Sequence, residues 1–272
     1  MMGIVLFKTA LAVYLASAVV YGASLWVRRV LTARFATWLM FAALIIHTLS
    51  FASRWITAGA SPAIGIHDAL SFFAWVMAAA YLALQLRTKT RVLGAFISPV
   101  ICLVMVVASI ELGGVVSAPE ALQGSLVMFH VMFSVTGEAL FAVASCAGLM
   151  YLIQDDMLKR KKAGSLIRLF PSLRDLDKIN HLCLSWGFSL LTFGILAGSG
   201  WARIVWGSHW QWDSKQVWTL LAWVLYGFLL HQRLVIGWQG RKAAFWSLVV
   251  ISFLAALLIV GNLFFPSVHQ FV

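Results

Sequence analysis

An all-α bundle of about eight membrane-spanning helices is the fold class this sequence predicts, and three observations predict it. The 272 residues are 62% hydrophobic with a mean hydropathy of +0.93, and only 11% are charged. A water-soluble domain carries about 25% charged residues, and disorder needs low hydrophobicity. At roughly 25 to 35 residues per span and loop, the length holds about eight crossings and little else. Basic residues are, in addition, segregated into alternate loops. Residues 1–272 therefore read as a single polytopic membrane domain.

The first apolar segment, about 3 to 26, contains Lys8, and Ala16-Ser17-Ala18 is followed by more helical sequence, so an uncleaved span is expected rather than a leader. The second, about 36 to 53, includes His47, a candidate for a helix-packing hydrogen bond. The third, about 66 to 86, opens on His67-Asp68, read as a cap with a salt bridge. The fourth runs from about 94 to 113; Gly113, Gly114, Gly198 and Gly200 read as glycines at helix ends. The fifth, about 123 to 153, exceeds a bilayer's need, so it tilts or its ends project. It holds Glu138, with His47, Arg203 or a ligand group as candidate partners, or a neutral acid as the plainer alternative. The sixth, about 179 to 198, has His181 at its interface, and the seventh, about 216 to 236, follows Asp213, which can cap it or pair with Lys215. The eighth covers about 243 to 262.

Eight crossings place both termini on one side. Sixteen of the 20 Lys/Arg fall in one set of loops, including seven between Lys159 and Lys178, while the other set receives Arg54, Arg203 and Lys215. The basic loops are therefore expected in the cytoplasm and both termini outside, which accounts for the +11 net charge without a nucleic acid. Cys102, Cys146 and Cys183 sit in apolar runs without CxxC spacing and read as packing residues. The stretch from Gln154 to Lys178 is amphipathic and far too short for a catalytic domain. No HExxH, P-loop, Ser/His/Asp ordering or dinucleotide signature is present.

The outer segment 198–218 concentrates Trp201, Trp206, Trp210, Trp212 and Trp218 around His209 and Asp213. Two readings are open: an aromatic belt at headgroup level, or a platform for a flat, largely apolar ligand. His209 either faces that platform or is a solvent-exposed interruption. His130, at the outer end of span five, and His269, beyond span eight, can approach it and would suit heme iron as a bis-imidazole pair. His231 lies 15 residues after Gln216, about 22 Å along a helix, near the cytoplasmic side, where an ionisable group is functional or paired inside the bundle. Arg54 and Arg203, on the outer side, are candidate clamps for a carboxylate.

Trp201-Ala202, the run Trp206-Gly207-Ser208-His209-Trp210-Gln211-Trp212-Asp213-Ser214-Lys215-Gln216, Trp218 and Trp223, then Leu230-His231-Gln232-Arg233 and Gly237-Trp238-Gln239-Gly240-Arg241, resemble the tryptophan-rich WWD family of cytochrome c biogenesis, CcsA/CcmC/CcmF, and most closely its CcsA branch. The resemblance implies heme b as transported ligand and substrate, resting against Trp201, Trp206, Trp210, Trp212, Asp213 and Trp218. It implies His130 and His269 as outer iron ligands and His231 as the transmembrane histidine. It further implies a CcsB/ResB-type partner, apocytochrome c with a CxxCH segment, thiol-reducing proteins, and residence in a bacterial inner membrane with the WWD segment outside. This chain would then be one half of a heme lyase. Ser214 and Gln216 replace the pattern's Pro and Glu, and His209 stands where an aromatic is usual. HemX-like auxiliary proteins, which bind heme or regulate its synthesis without ligase activity, share the same body and form the alternative.

Overall fold

The computed structural model describes residues 2–27, 30–58, 65–88, 90–110, 124–161 and 170–264, and every long element in them is helical. The elements are α1 (Met2–Val27), α2 (Val30–Ala58), α3 (Ile66–Arg87), α4 (Gly94–Ile110), α5 (Ser125–Lys159), α6 (Leu173–Trp206), α7 (Ser214–Leu234) and α8 (Gly240–Phe264), with a short 3-10 turn at Arg91–Leu93. Seven are long and apolar enough to cross a membrane; α7, whose ends carry Lys215, Gln216, His231, Gln232 and Arg233, falls short of that hydropathy. The expected all-α membrane bundle is what the chain forms.

The spans follow apolar runs, but helicity extends beyond them. Helix α6 is 34 residues long, about 51 Å at 1.5 Å per residue, against an expected 179–198. It starts six residues early because Ser172 caps it, its side chain accepting from the Asp175 N–H. It also runs past Gly198 and Gly200 to Gly207, which closes it with a left-handed φ of 73°. Gly198 and Gly200 are therefore helix-interior residues and not the loop glycines the sequence indicates; Gly113 and Gly114 lie outside the described residues.

Helices α1 to α4 form one half of the bundle and α5 to α8 the other, with α3 and α4 meeting α5 between them. In the first half, Tyr21 hydrogen-bonds Tyr81 at 2.8 Å and Thr37 at 3.0 Å near the end that carries the basic loops. Both tyrosines are fully buried against Gly94. A Cβ on Gly94 would stand 2.5 Å from the Tyr21 ring and the Tyr81 hydroxyl. Gly94→Ala is expected to cost about 1–3 kcal/mol by overpacking, seen as a lower thermal midpoint in detergent. At the opposite, tryptophan-bearing end, Arg54 pairs with Asp68 at 3.1 Å and both are largely buried. Arg54 thus ties α2 to α3 through one guanidinium nitrogen, while its Nε and Nη1 are buried without a hydrogen-bond partner among the described residues. His67 lies 3.7 Å from Asp68, the expected pair, although Gly65 holds the cap position without a side-chain bond. His47 is fully buried between Ser71 at 2.8 Å and Tyr14 at 3.5 Å, a packing hydrogen bond as expected.

The second half is the more tightly fitted. Helix α5 lies against α6 over most of its length because an α6 glycine meets α5 at successive turns: Gly187 on Gly137, Gly194 on Ser134, and Gly198 under the larger ring of His130. Small residues at four-residue spacing let two membrane helices approach closely. At the basic end, Arg233 donates to Asp177 at 2.9 Å and to Asn180 at 2.8 Å. Asn180 in turn donates to the Ala144 carbonyl and the Ser247 hydroxyl, each at 2.8 Å. The Gly240 N–H completes the knot on Asp177 at 3.0 Å, so α5, α6, α7 and α8 meet in one network. All three cysteines are buried and unpaired.

Candidate functional site

His130 sits about one and a half turns into α5 and leans on the last third of α6. Its Nδ1 is 2.8 Å from the Gly194 carbonyl oxygen, and its ring fills the space a side chain at Gly198 would take. A carbonyl only accepts, so Nδ1 carries the proton and Nε2 is the acceptor nitrogen of the neutral ring. The sequence locates His130 but not its seat: Gly194 and Gly198 are recognisable by their spacing, and their role appears only with α5 in place.

The tryptophan segment divides into three parts. Trp201 and Trp206 belong to α6, in edge-to-face contact at 4.9 Å, and Trp201 is buried with Ala202 against Val127 of α5. Residues 207–213 form a turn tied to itself: the Ser208 hydroxyl donates to the Trp210 carbonyl, and the Gln211 N–H donates to the Gln216 side chain at 2.8 Å. Trp210 and Trp212 meet edge-to-face at 5.6 Å, and Trp212 takes a left-handed φ of 53°. Asp213 then caps α7 by accepting the Lys215 N–H, as expected. Trp218 is fixed by its indole N–H donating to the Leu254 carbonyl at 3.1 Å, and Trp223 by Thr192 at 2.9 Å.

The rings thus differ in setting. Trp201 and Trp218 are held inside the bundle, whereas Trp212 is 78% exposed and Trp210 half-buried. The Trp210 indole nitrogen is buried without a hydrogen-bond partner among the described residues. That orphaned donor beside exposed aromatic faces, and a histidine whose Nδ1 is already engaged, fit a flat iron-containing ligand with acceptor groups at its edge. Among the described residues no cluster of three or more His, Cys, Asp or Glu forms a metal site.

The remaining candidates lie apart. His269 is outside the described residues. His231 occupies the last turn of α7, at the basic end as expected, but it is exposed rather than inside the bundle. It continues the outward stripe of Val217, Val224 and Phe228, while Ala222, Tyr226, Leu229 and Arg233 face inward. Glu138 is half-buried, with Tyr226 within electrostatic range and no ion pair among the described residues. Arg203 is exposed in the last turn of α6.

The pattern of the family described as "Cytochrome C assembly protein" matches residues 63–268. The chain is 32% identical over 223 residues to "Cytochrome c biogenesis protein CcsA" of Trieres chinensis, covering 71% of this chain and 72% of that one. It is 30% identical over 240 residues to the protein of the same description from Microcystis aeruginosa, covering 71% and 73%. Among solved structures, "Cytochrome c Heme Lyase CcmF" superposes with a TM-score of 0.70 at 14% identity, a likeness of fold. That alignment covers 98% of this chain and 47% of the other, so the chain spans about half the length of that structure. By the extent of the family match and the identity to its members, the chain belongs to the cytochrome c assembly protein family.

Proposed function

We propose that this chain handles heme for cytochrome c biogenesis, presenting it at the tryptophan end for thioether attachment to apocytochrome c together with a CcsB/ResB-type partner. The observation that carries this reading is the seat of His130. An imidazole clamped through Nδ1 to the Gly194 carbonyl lies at the same end of the bundle as the exposed Trp212 and the half-buried Trp210 with its orphaned indole donor. His130 and His269 would hold the iron, Trp206, Trp210 and Trp212 the macrocycle, and the exposed Arg203 a propionate. Thioether formation is an addition of cysteine thiols across the vinyl groups, chemistry that belongs to the substrates; the chain supplies position and an iron environment. Hence no residue of this chain needs to serve as a nucleophile.

His231 supports the partner. Its stripe on α7 faces away from the chain's own helices, where a neighbouring subunit's helix would meet it. The proposed location is the cytoplasmic membrane of a bacterium, basic loops inside and the tryptophan segment outside, consistent with the distribution of Lys and Arg.

The reduced-heme absorption spectrum tests the reading, recorded for the protein expressed with a ResB-type partner and for a His130→Ala, His269→Ala variant. A bis-imidazole spectrum lost in the variant supports the outer site. An unchanged spectrum sinks it. Heme binding that leaves c-type cytochrome formation untouched when the chain is deleted would point to the HemX-like auxiliary role instead.

A further inference from the structure

Helices α3 and α6 both pack on α5 but scarcely on each other, and the space between them is a groove of about 270 Å³. Ala80 and Ala83 of α3 line it together with Leu182 and Trp186 of α6 and Leu140 of α5. The two alanines create the room, since a larger side chain at either position would fill it. Leu182 and Trp186 are exposed on the outside of the bundle, so the groove opens sideways, where lipid lies in a membrane. Its apolar walls offer water no partners, and left empty it forfeits the dispersion contacts of close packing. In a bilayer the filler at hand is an acyl chain.

The groove lies toward the basic end, within the last two turns of α3 and just past Asn180 on α6. Steps of four residues back from Leu182 reach Lys178 and Arg174, both exposed. Residues at this spacing share one helix face, so two cations stand about 6 and 12 Å beyond Leu182 toward the basic loops. Neither has an ion-pair partner among the described residues: Asp175 accepts from the Ser172 hydroxyl, and Asp177 is held by Arg233. Arg174 also stands in the first turn of α6, where the helix dipole disfavours a cation and favours an anion.

We propose that this groove holds one anionic phospholipid, with an acyl chain between α3 and α6 and its phosphate on Lys178 and Arg174. Both side chains can lay their methylenes along apolar surface while their charged heads stay at the interface, where they attract anionic lipid. The lipid would close the seam between the two halves of the bundle that the helices leave open. The inference stands apart from the heme reading of the tryptophan end.

Native mass spectrometry tests it, on the full-length protein equilibrated in micelles holding equal amounts of dioleoyl phosphatidylglycerol and dioleoyl phosphatidylcholine. The wild type should keep one phosphatidylglycerol over phosphatidylcholine by at least about tenfold. Arg174→Gln combined with Lys178→Gln should abolish that preference while one lipid of either kind remains. Arg34→Gln combined with Lys242→Gln removes the same charge from other exposed positions at the basic end and should change nothing. Ala83→Phe, which fills the groove, should lose both lipids. Equal retention of the two lipids by the wild type, a preference that survives loss of Arg174 and Lys178, or its loss in the Arg34 and Lys242 variant overturns the inference. So does undiminished lipid on folded Ala83→Phe. Wild-type protein that retains no lipid also overturns it and leaves the groove to a partner's helix.

Discussion

Gly198→Ala is expected to lower heme retention at the tryptophan end by about 10- to 100-fold, although it changes no residue that would touch iron. The added methyl group would occupy the volume of the His130 ring, with Cε1 only 2.7 Å away and Nδ1 closer still. The ring must move, and moving it breaks the 2.8 Å bond to Gly194 that sets its tautomer and direction. Gly200→Ala is the matched control, since a Cβ there meets only a Leu126 methyl at 3.8 Å. Heme per protein after purification, measured from the reduced spectrum, separates the two variants. Equal heme content in both would refute the role of the glycine seat.

Arg233→Met should destabilise the fold by about 3 kcal/mol, because it removes one member of a buried network and leaves the others. Asp177 would lose its only ion-pair partner among the described residues, and the Asn180 carbonyl, on a side chain 1% exposed, would lose its donor. The thermal midpoint in detergent should fall by several degrees. Asn180→Leu should act in the same direction by leaving Arg233 and Ser247 underbonded. A midpoint within error of wild type for Arg233→Met would show that the network carries no net stability.

These two residues also show what could be read from the sequence. The spans were legible because lipid immersion demands apolar runs, and eight of them match eight helices. The ends of α6 were not, because hydropathy reports immersion rather than helicity: Arg174, Asp175, Asp177 and Lys178 lower the one while continuing the other. His130 stood out by its depth and its neighbours, and Asp213 by its place before a helix. Gly198 did not, since a glycine's purpose is written on the helix opposite. Arg233 was visible as a basic residue near the cytoplasm and in the Leu230–Arg233 motif but not as the hub of a buried network, and the Arg54–Asp68 pair was hidden because the two lie across a loop. His231 was placed correctly along α7 but not around it, a matter of which stripe packs inward.

Helix α6 is one uninterrupted rod from Asp177 and Asn180 at the basic end to the Gly194 and Ser199 carbonyls that hold His130 and His209. Its length is therefore a ruler and its twist a protractor. Inserting a single residue near Leu190 would raise the tryptophan end by about 1.5 Å and swing it by about 100° relative to the knot below. The His130 ring, carried on α5, would then lose its Gly194 carbonyl even though every side chain of the site survived, while His209 and Ser199 would move together. Such a chain tolerates length changes in its loops and almost none between its two anchored ends.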